Sequence, residues 1–134
     1  MNWILVWLVF LFLLYVTIHF QKEDDYEVGS WKYKQKIENG VIENYICVQD
    51  KNNKFGEVMY LLHSIKDKPA VIYPSGTKEW HFYGNLHRNN GPAVVHANGD
   101  EEWWIHGKRH RSDGPAMTIG DKKIWYFNGE IQYE

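Results

Sequence analysis

The histidines and arginines of the C-terminal half have the most scope for chemistry. Of the seven His in the chain, His81, His87, His96, His106 and His110 fall in one stretch, and two His-Arg pairs stand at His87-Arg88 and His110-Arg111. Imidazoles ligate zinc, but zinc sites take their ligands at short, characteristic spacings that often include cysteine. Here the corresponding residues His87 and His110 are 23 apart, and the lone cysteine is Cys47. No metal is expected. Arg88, Lys108, Arg109, His110 and Arg111 make a basic patch suited to acidic lipid headgroups or an acidic protein. Headgroup sites usually cluster four to eight bases, and Asp100, Glu101, Glu102 and Asp113 are near enough in sequence to neutralise this one. The structural alternative is that Arg88 and Arg111 pair with Asp or backbone carbonyls of an adjoining segment, while His87 and His110 cap turns. For covalent chemistry there is little: Ser30, Ser64, Ser75 and Ser112 lie in no nucleophile elbow, and Cys47 in Tyr-Ile-Cys-Val reads as a buried hydrophobe. The glycines suit turns and not phosphate loops. No catalytic residue, no cofactor and no enzyme activity are expected.

Composition narrows the partners further. With 134 residues and a formal charge of −2, the chain has room for one small domain and lacks the basic footprint of a nucleic-acid binder. A single cysteine excludes an internal disulfide and suits a reducing compartment. No Asn-x-Ser/Thr acceptor occurs.

Residues 1–20 read as a transmembrane anchor. From Trp3 to Phe20 the sequence is WILVWLVFLFLLYVTIHF, about 27 Å long as a helix and close to the ~30 Å bilayer core. Trp3, Trp7, Phe10, Phe12, Leu14 and Phe20 carry this apolar character. A cleaved signal is the rival, but the basic start and the small-residue cleavage site are missing. Lys22, Lys32, Lys34 and Lys36 follow the span and no Lys or Arg precedes it, which places the C-terminal domain on the cytoplasmic face.

Residues 21–30, charged and ending Gly29-Ser30, read as a solvated spacer. Trp31 to Ile37 alternates apolar and polar residues as a strand does, Asn39-Gly40 is a hairpin turn, and Val41 to Val48 supplies the return strand. Glu57 to Ile65 fits a strand or a short helix. Residues 31–68 as a whole are expected to form a degenerate β cap.

From residue 69 the chain repeats itself. Pro-Ala recurs at Pro69, Pro92 and Pro115, each 23 residues after the last. Gly76 and Gly99, Trp80 and Trp103, Gly84 and Gly107, and the His-Arg pairs fall in register, and a shorter third unit carries Trp125 and Gly129. The units are 69–91, 92–114 and 115–134. In the last, the first turn is one residue shorter, Asp121 stands where Gly99 would, and Gln132-Tyr133 replaces His-Arg. Two short strands per unit cannot bury an apolar face alone, so stacked units must share one. The expected fold is all-β: an elongated antiparallel meander of 23-residue β-hairpin repeats, with its Trp residues in one ladder, preceded by one transmembrane helix.

The pattern His-Arg-x-x-Gly-Pro-Ala, then Asn-Gly, Trp and Gly, is carried by His87, Arg88, Gly91, Pro92, Ala93, Asn98, Gly99, Trp103, Gly107, His110, Arg111, Gly114, Pro115 and Ala116. It resembles the membrane occupation and recognition nexus (MORN) repeat, in a variant form similar to repeats abundant in large DNA viruses. The resemblance implies a scaffold or membrane-proximal adaptor. With the anchor, it leads to the expectation of a structural membrane protein of a virus particle, such as a minor capsid component contacting capsid proteins. The alternative is a membrane-tethered adaptor that binds acidic phospholipids or a signalling partner.

Overall fold

The computed structural model describes residues 24–28, 31–49 and 58–132, and the side chains of all these except 24–28 and Trp31. The anchor expected at 1–20 lies outside them. Among the described residues no helix is long and apolar enough to cross a membrane; all the regular structure there is antiparallel β.

The N-terminal part begins with β1 (Asp24–Val28), β2 (Trp31–Glu38), β3 (Val41–Gln49) and β4 (Val58–Leu62). Asn39 and Gly40 adopt φ of 50° and 77°, the double positive φ that a two-residue hairpin needs to match strand twist. β1 corrects the spacer reading. Residues 24–28 pair with β2 from Val28 opposite Trp31 to Asp24 opposite Gln35, because the outer edge of β2 offers backbone groups that a neighbouring strand satisfies. The segment that fitted a strand or a helix is the strand β4, paired along Tyr45–Gln49 of β3. Cys47 is half-buried and not a core residue, because along β3 it is the neighbouring Ile46, on the opposite face, that is buried.

The repeats continue the same sheet. β5 (Val71–Ile72), β6 (Lys78–Glu79), β9 (Val94–Val95), β10 (Glu101–Glu102), β13 (Met117–Ile119), β14 (Lys122–Phe127) and β15 (Glu130–Gln132) follow β1, β2 and β3 in that spatial order. Two outlying hairpins extend it: β7 (His81–Phe82) with β8 (Asn85–Leu86), and β11 (Trp104–Ile105) with β12 (Lys108–Arg109). β6 runs on into β7 through Trp80, and β10 into β11 through Trp103. The return line from β8 to β9 is broken by residues 87–93, and that from β12 to β13 by residues 110–116. These excursions hold the His-Arg and Gly-Pro-Ala motifs.

The Ala of each Pro-Ala sits where three lines of backbone meet. Ala93 donates its N–H to Glu102 and accepts the N–H of Trp80; Ala70 and Ala116 make the corresponding bonds with Glu79 and Asn44, and with Ile124 and Trp103. All three alanines have no exposed surface. A larger side chain has no space there, and the preceding Pro has no N–H to leave unpaired. Between the hairpin lines the turns are Tyr83-Gly84, His106-Gly107 and Asn128-Gly129, again with positive φ at both positions. Tyr and His take a conformation that Asn accepts more readily. Trp80, at 6 % exposure, belongs to the core with Ile46, Val71 and Val94, whereas Trp125 is 38 % exposed. Burial of the repeated indole declines towards β15.

Candidate interaction surface

Trp80 and Trp103 hold equivalent positions in successive units, but no ring contact among the described residues joins one indole to another. An arginine covers each of the first two instead. The Arg88 guanidinium lies 3.9 Å from the Trp80 ring centre, and that of Arg111 lies 3.9 Å from Trp103. On its other face each guanidinium meets glycine. A Cβ built on Gly91 would come within 3.2 Å of Arg88 Nη1, and one on Gly114 within 3.0 Å of Arg111 Cζ. Trp, Arg and Gly therefore form one sandwich, and the excursion folds back over the sheet to make it. The guanidinium also donates to the following proline carbonyl, Arg88 to Pro92 and Arg111 to Pro115.

Each arginine has an acid as well, drawn from different places. Arg88 makes two hydrogen bonds to Asp67, 21 residues earlier, at 2.9 and 2.8 Å. Arg111 bonds Asp113 in its own excursion at 2.9 Å. These bonds hold both carboxyls below the ordinary Asp value. Asp67 also accepts the indole N–H of Trp80 on its carbonyl. The Trp103 indole nitrogen, in the corresponding position, is buried without a partner. The excursion before Trp80 is one residue longer than the one before Trp103, and its Lys66 and Asp67 both take positive φ. That extra residue delivers the acceptor.

The third arginine of the patch points elsewhere. Arg109 donates twice to Glu102 and lies 4.5 Å from the Trp104 ring centre and 5.6 Å from that of Tyr126. Glu102 also receives His96 at 2.9 Å and the Trp104 indole at 3.1 Å. Burial would raise this carboxyl, but the hydrogen bonds from His96 and Arg109 outweigh it and hold it low. Glu79, one unit earlier, binds His81 and Tyr73, and its carboxyl is held low chiefly by the His81 bond. The other nitrogen of His81 meets the Gly84 carbonyl. Both ring nitrogens of this buried histidine thus face partners within the domain.

His87 and His110 take a different role. His87 Nδ1 accepts the N–H of His106, and His110 Nδ1 accepts that of Asn128, at 3.1 Å each. His63 Nδ1 does the same for Tyr83 at 3.2 Å. Each bond ties one line of the sheet to the first turn residue of the next hairpin, and each requires an unprotonated Nδ1. Counting in 23s misses His63, which stands 24 before His87; allowing one inserted residue in the excursion finds it. Burial depresses His63, and burial together with the neighbouring His106, whose ring stacks on His87 at 4.2 Å, depresses His87.

Pro69, Pro92 and Pro115 fall in the excursions and Gly84, Gly107 and Gly129 in the hairpin turns, while Gly76 and Gly99 close the turns from β5 to β6 and from β9 to β10, donating to Tyr73 and His96. Of the basic patch, Lys108 is exposed, whereas Arg88, Arg109, His110 and Arg111 are partly covered and bonded within the domain. A cavity of about 350 Å³ beside Arg88 is lined by Asp67, Trp80, His81, Phe82, His87 and His106 among others. Among the described residues no three His, Cys, Asp or Glu are grouped to hold a metal ion. Larger apolar side chains do reach solvent: Phe82 at 42 %, Phe127 at 49 %, and Ile131 on the last strand.

No known protein family, no curated protein and no solved structure matches this chain.

Two outcomes follow from these bonds. Trp80→Phe should destabilise the domain by about 1 kcal/mol more than Trp103→Phe, since only Trp80 loses a hydrogen bond; urea titration of both variants measures the difference. The histidine bonds give a pH dependence. The depressed values of His63 and His87 mean that the unfolded chain binds more protons, so their contribution is complete above the ordinary value of 6.5 and declines as pH falls through the folded values. Urea midpoints should drop as pH is lowered below 6.5, and the double variant His63→Asn, His87→Asn should flatten that drop.

Proposed function

We propose that this chain is a membrane-anchored structural protein whose repeats, of the MORN type in their His-Arg-x-x-Gly-Pro-Ala form, serve protein contact. In this reading it is a minor capsid or membrane-linking component of a membrane-containing large DNA virus. The observation that carries the reading is how the side chains are spent. Arg88, Arg109 and Arg111 direct their donors into Asp67, Glu102 and Asp113 and stack on indoles. Phe82, Trp125, Phe127 and Ile131 meanwhile stand exposed on the sheet. Neutralised cations beside exposed aromatic and aliphatic groups suit a protein partner, since such interfaces favour aromatics and deplete charge at their centre. Headgroup recognition would need the same cations unpaired. The apolar run at 3–20 supports attachment to a bilayer.

The protein should remain with the shell of purified particles after mild detergent, and should crosslink to a shell protein. A fragment starting at residue 21 should not float with acidic liposomes at low salt. Salt-sensitive flotation of that fragment, or free release from the particles, would make the chain a lipid-binding adaptor and overturn the proposal.

A further inference from the structure

The last strand carries an inference about assembly that holds whether or not the chain is viral. We propose that β15 pairs antiparallel with β15 of a second copy of this chain, with Ile131 on the two-fold axis, joining two sheets into one.

The backbone pattern identifies the open groups. Phe127 and Glu130 flank the two-residue turn Asn128-Gly129 and face each other across the hairpin. Such a flanking pair exchanges both its hydrogen bonds, so alternation turns the N–H and C=O of Ile131 to the outer edge. Earlier units show what belongs there. Ile131 follows its turn glycine by two residues, as Leu86 and Arg109 follow theirs, and those two carbonyls accept the N–H of Gly107 and Gly129 at 2.9 Å. Among the described residues β15 pairs with β14 alone, and nothing takes that role for Ile131.

Of the devices that guard an edge, Glu130-Ile131-Gln132 has its shortness and one acid, but no lysine, proline or bulge to block an incoming strand. Charge then selects both the partner and the register. With Ile131 opposite its own equivalent, each Glu130 faces a Gln132 amide of the other copy. With Glu130 on the axis, two carboxylates would stand face to face, which is destabilising. Phe127 and Trp125, the cross-strand partners of Glu130 and Gln132, are 49 % and 38 % exposed on the same face. Ile131 itself, 39 % exposed, meets its own equivalent across the axis and adds an apolar contact to the backbone bonds.

The test uses the full chain in detergent micelles, with Cys47→Ser to remove the native thiol. An antiparallel hydrogen-bonded pair holds its Cα atoms about 5.5 Å apart, within the roughly 4.4–6.8 Å that a disulfide spans. Ile131→Cys should therefore oxidise to a dimer at least about tenfold faster than Phe82→Cys, a comparably exposed control. Ile131→Pro removes an amide that β14 does not use. It should keep the native circular dichroism yet abolish the concentration-dependent dimer seen by light scattering. Crosslinking no faster than the control, a chain monomeric at all concentrations, or a dimer that survives Ile131→Pro overturns the proposal. If the proline variant fails to fold, the crosslinking rates decide alone.

Discussion

A guanidinium held between an indole and a glycine is the contact on which the rest of this domain depends. A sheet of two-residue strands has few ladder bonds per strand, and its excursions would otherwise stand away from it as loose loops. Stacking Arg88 on Trp80 and Arg111 on Trp103 pins each excursion to the sheet. Contacts of this kind contribute from about 0.5 to 2 kcal/mol as they become desolvated. Glycine is needed because the guanidinium occupies the space a Cβ would take. Where the arginine is absent, so is the glycine: before Pro69 the chain has Lys68, and the residue after His63 is Ser64.

Several features follow from that pinned excursion. The Pro-Ala that closes it enters the sheet at a junction of three backbone lines, where Ala93 and its equivalents bond on both sides. The histidine that opens it reaches the turn of the next hairpin. The arginine's acid comes from the preceding excursion for Arg88 and from its own for Arg111, so the first joint is tied across units more firmly than the second. Burial of the repeated Trp falls along the same direction. Apolar surface is greatest at the far end, where β14 exposes Trp125, whose equivalent Trp80 is buried, together with Phe127.

Much of this was legible in the residues. The 23-residue period, the turn glycines and the strand from Trp31 pointed to an antiparallel meander, because turn chemistry and alternation are local signals. Three things were not. Asp24–Val28 looked like a spacer because its charges mask a strand that pairs along the edge of β2. His63 and Asp67 escaped because one inserted residue shifts the period by one, although it is that residue which brings Asp67 to Arg88 and Trp80. The recurring Trp suggested a ladder but not the arginine that covers each ring, since spacing shows which residues are equivalent but not what fills the gap between them. A run of Arg in sequence likewise carries no mark of whether its donors turn inward, so the basic patch and the paired arginines stood as alternatives until the bonds to Asp67 and Asp113 were seen.

The central claim is that Arg and Trp within a unit stabilise each other directly. A double-mutant cycle on Arg111→Met and Trp103→Leu, read by urea unfolding, measures this. A coupling of about 1 kcal/mol or more is predicted. Effects that add to within roughly 0.3 kcal/mol would show two independent side chains and contradict the account.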